Sequence, residues 1–322
     1  MGYALDPELV PVMAALAERA AGAPAPPRGD WKALREADEA GRASLALLVP
    51  PSPGVLTTTH YATAPDGTAI ELRRYTKPAR APGSTVLYAH GGGMIMGSLD
   101  LYDEVINWYV DQTGVPFVSA GYRRAPEATG TMLAEDVFAA FTWVVSHAGE
   151  LGTDPGRIAV MGDSGGGGLA AATAILARDR GVPLARQILV YPMLDDRTQT
   201  PGLALAPYLT WTYDDNFTAW SAILGEDLGT AAVSPITAPA RLRDHRGLAP
   251  AYIDVGDLDI FRNEDLSYGR SLALAGVPVE LHVHPGAPHG WERFALTRDP
   301  PGAPWPNGPG LSRSSSHRRR FP

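Results

Sequence analysis

The sequence predicts an α/β protein: a mostly parallel central sheet of about eight strands, flanked by helices and overlaid by a helical cap. Three observations point there. Short apolar, β-branched runs alternate with longer helix-patterned segments through the middle of the chain. Two of those runs lead straight into glycine-rich turns, and 322 residues suit one such domain carrying an insertion. The whole chain, 1–322, is therefore read as a single domain.

Taken in order, 6–48 reads as two helices around a Pro-rich break. Strands follow at Leu56–Thr63 and Thr68–Tyr75, joined by Ala64-Pro65-Asp66-Gly67, where Asp-Gly after Pro signals a tight turn and hence an antiparallel pair. Strands Thr85–Ala89, Val115–Ala120, Arg157–Met161 and Gln187–Tyr191 then alternate with helices Asp100–Thr113, Met132–His147 and Gly165–Arg180, each helix repeating apolar residues every three or four positions. A Trp- and Tyr-rich stretch, about 195–235, breaks this rhythm and with about 1–50 is expected to form the cap. Strand Ala251–Val255, helix Arg262–Ala275 and strand Val279–Val283 restore the alternation. Six prolines among the last 28 residues forbid a helix, so 295–322 reads as an atypical Pro-rich tail.

The chain has no cysteine, which removes disulfides, a thiolate nucleophile and cysteine metal sites. A net charge of −8 argues against nucleic acid as a partner, and the basic cluster Arg313–Arg320 reads as a solvated end. No run of about 18 apolar residues exists to span a membrane. The first 23 residues lack a basic region followed by an unbroken apolar one, so a cytoplasmic location is expected.

Gly162-Asp163-Ser164-Gly165-Gly166 follows an apolar strand and opens an Ala-rich helix. This is a G-x-S-x-G in strand-turn-helix context, where the turn is so tight that side chains two before or two after the serine would collide with backbone. A phosphate-binding loop would instead need Lys and then Ser or Thr after the last glycine, but Leu169 and Ala170 follow Gly168. Ser164 is thus the candidate nucleophile. His90-Gly91-Gly92-Gly93 comes directly after another strand, and consecutive glycines let backbone N–H groups converge on a developing oxyanion. Gly92, Gly93 and Gly165 are the expected donors, with His90 fixing the loop rather than acting as base.

A general base should lie downstream of both nucleophile and acid. His282 and His284 alternate within a strand pattern, and His317 lies in the tail. His289, in Pro285-Gly286-Ala287-Pro288-His289-Gly290, hangs just beyond the last strand and is the better base. For the acid, the loop after Ala251–Val255 offers Asp257 and Asp259, either of which could instead cap the following helix. A histidine base also predicts a rate that falls on the acid side, near pH ~6.5 for an ordinary imidazole.

Together these segments resemble the hormone-sensitive-lipase-like (family IV) bacterial carboxylesterases of the α/β-hydrolase superfamily, over roughly residues 50–292. Tyr122-Arg123-Arg124-Ala125-Pro126-Glu127, Glu135-Asp136 and Ala287-Pro288-His289-Gly290 add to the likeness. The resemblance implies Asp259 as the acid and Gly91, Asp163 and Glu127 as supporting residues. It further implies hydrolysis of short- to medium-chain esters through an acyl-enzyme, a small-molecule ester as partner, no metal or cofactor, and dimerisation through the last strand. Three departures stand out. Gly165 replaces a usual alanine, which leaves the backbone donor intact; Ile260 to Glu264 lacks a proline and one acid; and the Pro-rich tail replaces a long helix.

Overall fold

The computed structural model describes residues 2–20, 24–46, 49, 51–78 and 83–292. Its centre is one eight-stranded sheet in the order β1-β2-β4-β3-β5-β6-β7-β8. The strands are β1 (Leu56–Thr63), β2 (Ala69–Thr76), β3 (Thr85–Ala89), β4 (Phe117–Gly121), β5 (Ile158–Asp163), β6 (Arg186–Val190), β7 (Ala251–Gly256) and β8 (Val279–His284). β1 pairs antiparallel with β2, with Thr63 opposite Ala69, and β2 antiparallel with β4; every other neighbour is parallel. All eight predicted strands are present. β4 starts later than predicted because Pro116 has no N–H to give the ladder; its carbonyl instead accepts from Val86 N at 3.0 Å.

The helices are α1 (Val10–Ala20), α2 (Trp31–Ala46), α3 (Leu99–Thr113), α4 (Met132–Ser146), a single turn α5 (Ala148–Leu151), α6 (Gly165–Asp179), α7 (Tyr213–Leu224) and α8 (Arg262–Leu274). Ser98 caps α3 through Leu101 N, and Gly114, at φ 70°, closes its other end onto the Val110 carbonyl. α7 lies in the stretch whose sequence lacked the core rhythm. A reciprocal capping box between Thr212 and Asp215 starts it.

Val137 and Phe141 of α4, Leu169 and Ile175 of α6 and Leu272 of α8 join one buried cluster with Leu87, Val118, Val160 and Ile253 of the sheet. Tyr102, Ile106 and Val110 of α3 close a second cluster with Tyr75, Tyr88 and Phe117. Each fully buried Leu, Ile or Val contributes on the order of 2 kcal/mol, so the two clusters hold β3, β5 and β6 as a stiff platform. The turns at the C-terminal ends of these parallel strands carry the candidate residues. Among the described residues, no helix is long and apolar enough to cross a membrane.

Candidate active site

β5 ends at Asp163, and Ser164 turns the chain at φ 54° and ψ −122° before α6 begins. A non-glycine residue holds such angles at a cost of about 1–3 kcal/mol, so its surroundings must enforce them. They do so with three backbone bonds. Ser164 N donates to Val190 O at 2.9 Å, while its carbonyl accepts from Gly168 N at 3.1 Å and Met193 N at 2.9 Å. A Cβ on Gly162 would stand 2.2 Å from Gly166 O, and one on Gly166 would stand 2.1 Å from Ala89 O, so neither position admits any side chain. Asp163 points inward, its two oxygens accepting from Tyr88 at 2.7 Å and Tyr102 at 2.8 Å.

The loop after β3 presents Gly92 (φ 116°), Gly93 (φ 56°) and Met94 (φ 61°), three successive left-handed residues. A planar trans peptide points its N–H opposite its carbonyl, so whatever holds a carbonyl also aims the next N–H. The Gly91 carbonyl accepts from His90 Nδ1 at 2.9 Å, which directs the Gly92 N–H; because a carbonyl only accepts, the ring proton sits on Nδ1. The Gly92 carbonyl accepts from Ile95 N and Met96 N, both at 3.0 Å, which directs the Gly93 N–H. His90 itself stacks on Tyr122 at 4.3 Å, and the Tyr122 hydroxyl donates to the His90 carbonyl at 2.7 Å.

Gly91 packs against Asp163, where a Cβ would meet Oδ2 at 2.3 Å. Gly165 faces the same loop across the turn: a Cβ there would meet Met94 N at 2.7 Å and Gly93 C at 3.0 Å. Glycine in place of alanine is therefore more than a neutral exchange, since it lets the first residue of α6 and the glycine loop touch backbone to backbone.

β7 and β8 deliver the other two groups. His289 Nε2 lies 2.9 Å from Ser164 Oγ, and His289 Nδ1 lies 2.6 Å from Asp259 Oδ2. A carboxylate beside Nδ1 accepts a hydrogen bond from the ring N–H, which keeps the proton on Nδ1 and leaves Nε2 free to accept from the serine. The Asp259 side chain is fully buried, and its other oxygen accepts from Phe261 N at 2.9 Å. Asp257 acts elsewhere, its Oδ1 accepting from Gly286 N at 2.7 Å and so tying the two loops together. The His289 ring sits edge-on to Tyr191 at 4.6 Å and to Phe261 at 5.2 Å. Its backbone carbonyl accepts from Thr210 Oγ1 at 2.6 Å.

His282 and His284 remain in β8, where His282 meets Glu280 and His284 meets Trp291 and Asp254. His317 and the tail 295–322 fall outside the described residues. Glu127 pairs with both terminal nitrogens of Arg35, at 2.6 and 2.8 Å, and this guanidinium lowers the Glu127 carboxyl to about 2. Glu264, in the acid motif, is buried; burial pushes its carboxyl up while Leu194 N, Asp195 N and Thr198 donate to it.

Of the aromatic residues in the irregular stretch, Trp211 overlies Gly93, its ring 2.8 Å from where a Cβ would stand, and lies 6.4 Å from the His289 ring. Trp220 is in the core and Phe217 lies 3.7 Å under the Arg28 guanidinium. Sequence reasoning missed Tyr191, Thr210 and Arg35, none of which sits in a recognisable motif. Within the expected cap it did not foresee the bonds of Tyr3 to Asp6, where the Tyr3 carbonyl accepts from Tyr208 at 2.7 Å and Asp6 N donates to Gly286 O at 3.0 Å.

A parallel sheet with a strained serine at a strand-to-helix turn, and a histidine and carboxylate converging from later strand ends, defines the α/β-hydrolase class. A family profile described as an alpha/beta hydrolase fold matches residues 86–293, and the chain belongs to that family, in its hormone-sensitive-lipase-like branch. It is 39% identical over 234 residues to Carboxylesterase NlhH of Mycobacterium tuberculosis, covering 71% of this chain and 73% of that protein. With Esterase LipI of the same organism it shares 41% over 225 residues, 68% of this chain and 69% of that one. Among solved structures it superposes on Bacterial Heroin Esterase with a TM-score of 0.79 at 35% identity, covering 90% of this chain and 92% of the other.

Proposed function

We propose that the chain is a carboxylesterase that hydrolyses short- to medium-chain acyl esters through an acyl-enzyme on Ser164. The observation that carries this is the relay of Ser164 Oγ, His289 and Asp259 at 2.9 and 2.6 Å. The relatives named carboxylesterase and esterase support it. Ser164 Oγ attacks the acyl carbon while its proton passes to His289 Nε2, and the carbonyl electron pair collects on oxygen. The Gly92, Gly93 and Gly165 N–H groups stabilise that oxyanion, each worth roughly 3 kcal/mol. His289 then protonates the departing alcohol, and Asp259 holds the ring in the tautomer this requires. Water, deprotonated by the same histidine, repeats the cycle on the acyl-enzyme.

Trp211 over Gly93 supports a preference for short acyl chains, because it places a bulky wall beside the oxyanion glycines. Segments of about 1–50 and about 195–235 act as the cap: Tyr208 of the second donates to the Tyr3 carbonyl of the first, and Thr210 donates to the His289 carbonyl. Two copies pair along β8, which is the outer strand at its end of the sheet, and sedimentation velocity would detect that dimer or refute it. A cytoplasmic workplace fits a chain with no cysteine, and cell fractionation tests it.

The decisive experiment is hydrolysis of p-nitrophenyl acetate, butyrate, octanoate and palmitate by the chain and by Ser164→Ala. The expected outcome is turnover that favours the short acyl chains and drops by about 10⁴-fold or more in the variant. A folded chain with no Ser164-dependent turnover would refute the proposal.

A further inference from the structure

Gly92, Gly93 and Met94 all stand at positive φ, and a run of such residues does not hold itself. The turn Gly92 to Gly97 that steadies them is gripped from outside through its carbonyls. Met94 O accepts from Ala125 N at 2.9 Å, Ile95 O from Arg35 Nε at 2.6 Å, and Gly97 O from Arg124 Nη1 at 2.9 Å. Arg35 also donates through Nη2 to Ala125 O at 2.8 Å, so it holds Met94 indirectly as well. Nη1 and Nη2 each also donate to Glu127. Arg124 in turn pairs with Glu39, one helical turn beyond Arg35 on α2, at 2.6 Å. The Arg35 side chain is only 13% exposed, and it comes from a helix 60 residues away from the carbonyl it grips.

We propose that Arg35, carried on α2, is a positioning residue that sets the Gly92 and Gly93 N–H groups against Ser164 by fixing the main chain at Ile95 and Ala125. This rests on the esterase reading above. One planar fork reaches two carbonyls and a carboxylate at once, a geometry that a lysine ammonium cannot reproduce. α2 thereby belongs to the catalytic framework as well as to the cap. A substrate that shifts α2 also shifts the oxyanion donors.

The test uses Arg35→Ala and Arg35→Lys in the full chain, with p-nitrophenyl butyrate as substrate and an alkyl trifluoromethyl ketone of similar length as probe. The Ser164 oxygen adds to the ketone carbon while its proton passes to His289 Nε2, and the carbonyl electron pair leaves the ketone oxygen as an anion in the glycine loop. Displaced donors should lower kcat by about 10- to 100-fold with KM changed by no more than about twofold. The ketone inhibition constant should rise in step with the loss in kcat/KM, in the lysine variant too, although lysine keeps the charge opposite Glu127. If kcat is retained, or falls while ketone affinity is unchanged, Arg35 only docks α2 and the proposal fails. Loss of folding in both variants overturns it equally. Absence of Ser164-dependent turnover in the unsubstituted chain would instead overturn the esterase reading, and this inference with it.

Discussion

On the serine side of the site, backbone packs on backbone: Gly162 against Gly166, Gly166 against Ala89, and Gly92 against Met96, with no room for a Cβ at any of them. On the histidine side the position of one ring depends on side chains brought from far apart: Asp259 on Nδ1, Thr210 on the carbonyl, and Asp257 tying the neighbouring Gly286. Gly256, whose Cβ would stand 2.0 Å from Ala287 O, is where this second region borrows the first one's device. Around Ser164 and Gly166 the first arrangement has no soft component to adjust; only the glycine loop beyond it leans on side chains, those of Arg35 and Arg124. The second can be tuned or loosened by one hydrogen bond at a time.

Removing a side-chain tie should therefore cost activity while sparing the fold. Asp259→Asn is expected to lower kcat by about 10⁴-fold with little change in thermal midpoint, because an amide favours the wrong histidine tautomer. Ester kinetics beside a melting curve would check it, and a fall of only a few-fold would mean that Asp259 does not orient His289. Removing backbone clearance should act the other way. Gly166→Ala is expected to destabilise by about 3 kcal/mol or more, since Ala89 O, 2.1 Å from the new Cβ, has no side chain that could move aside. Denaturant titration reads this directly, and an unchanged midpoint would break the contrast between the two regions.

The smallest effect belongs to the rim of the glycine loop. The Glu127 carboxyl, held down to about 2 by Arg35, contributes stability that is fully present above its ordinary value of 4.5 and is lost as pH falls through about 2. With the Glu127 side chain half-exposed, the pair should be worth less than ~1 kcal/mol. The gap in thermal midpoint between the chain and Glu127→Gln should narrow from pH 5.5 to 2.5. A constant gap would show that the ion pair does not supply it.

The same contrast governs how much the sequence disclosed. The Ala64-Pro65-Asp66-Gly67 turn fixed the first hairpin, with β1 matching its predicted bounds. The serine turn was legible because its steric demand falls on glycines two residues either side of Ser164. Asp259 was separable from Asp257 only by family resemblance, because both sit in one loop and their difference lies in which partner each meets across space. Thr210, Tyr208 and Arg35 gave no local signal, since each donates to a backbone carbonyl, and any carbonyl looks alike in a sequence. α7 did carry one: Thr212 stands three residues before Asp215, and Tyr213, Phe217, Trp220 and Leu224 recur at helical spacing.

Ser164 is only 5% exposed and the His289 side chain 11%, with Trp211 lying over the neighbouring glycine loop. An ester therefore reaches the nucleophile through a narrow approach, where the width of its acyl and alcohol groups bears on the rate alongside their reactivity. Chemical reactivity and physical arrival then become separate clocks. Among phosphonylating reagents of equal intrinsic reactivity, labelling of Ser164 would sort by girth, so a graded set of them would gauge the width of that approach without any substrate being turned over.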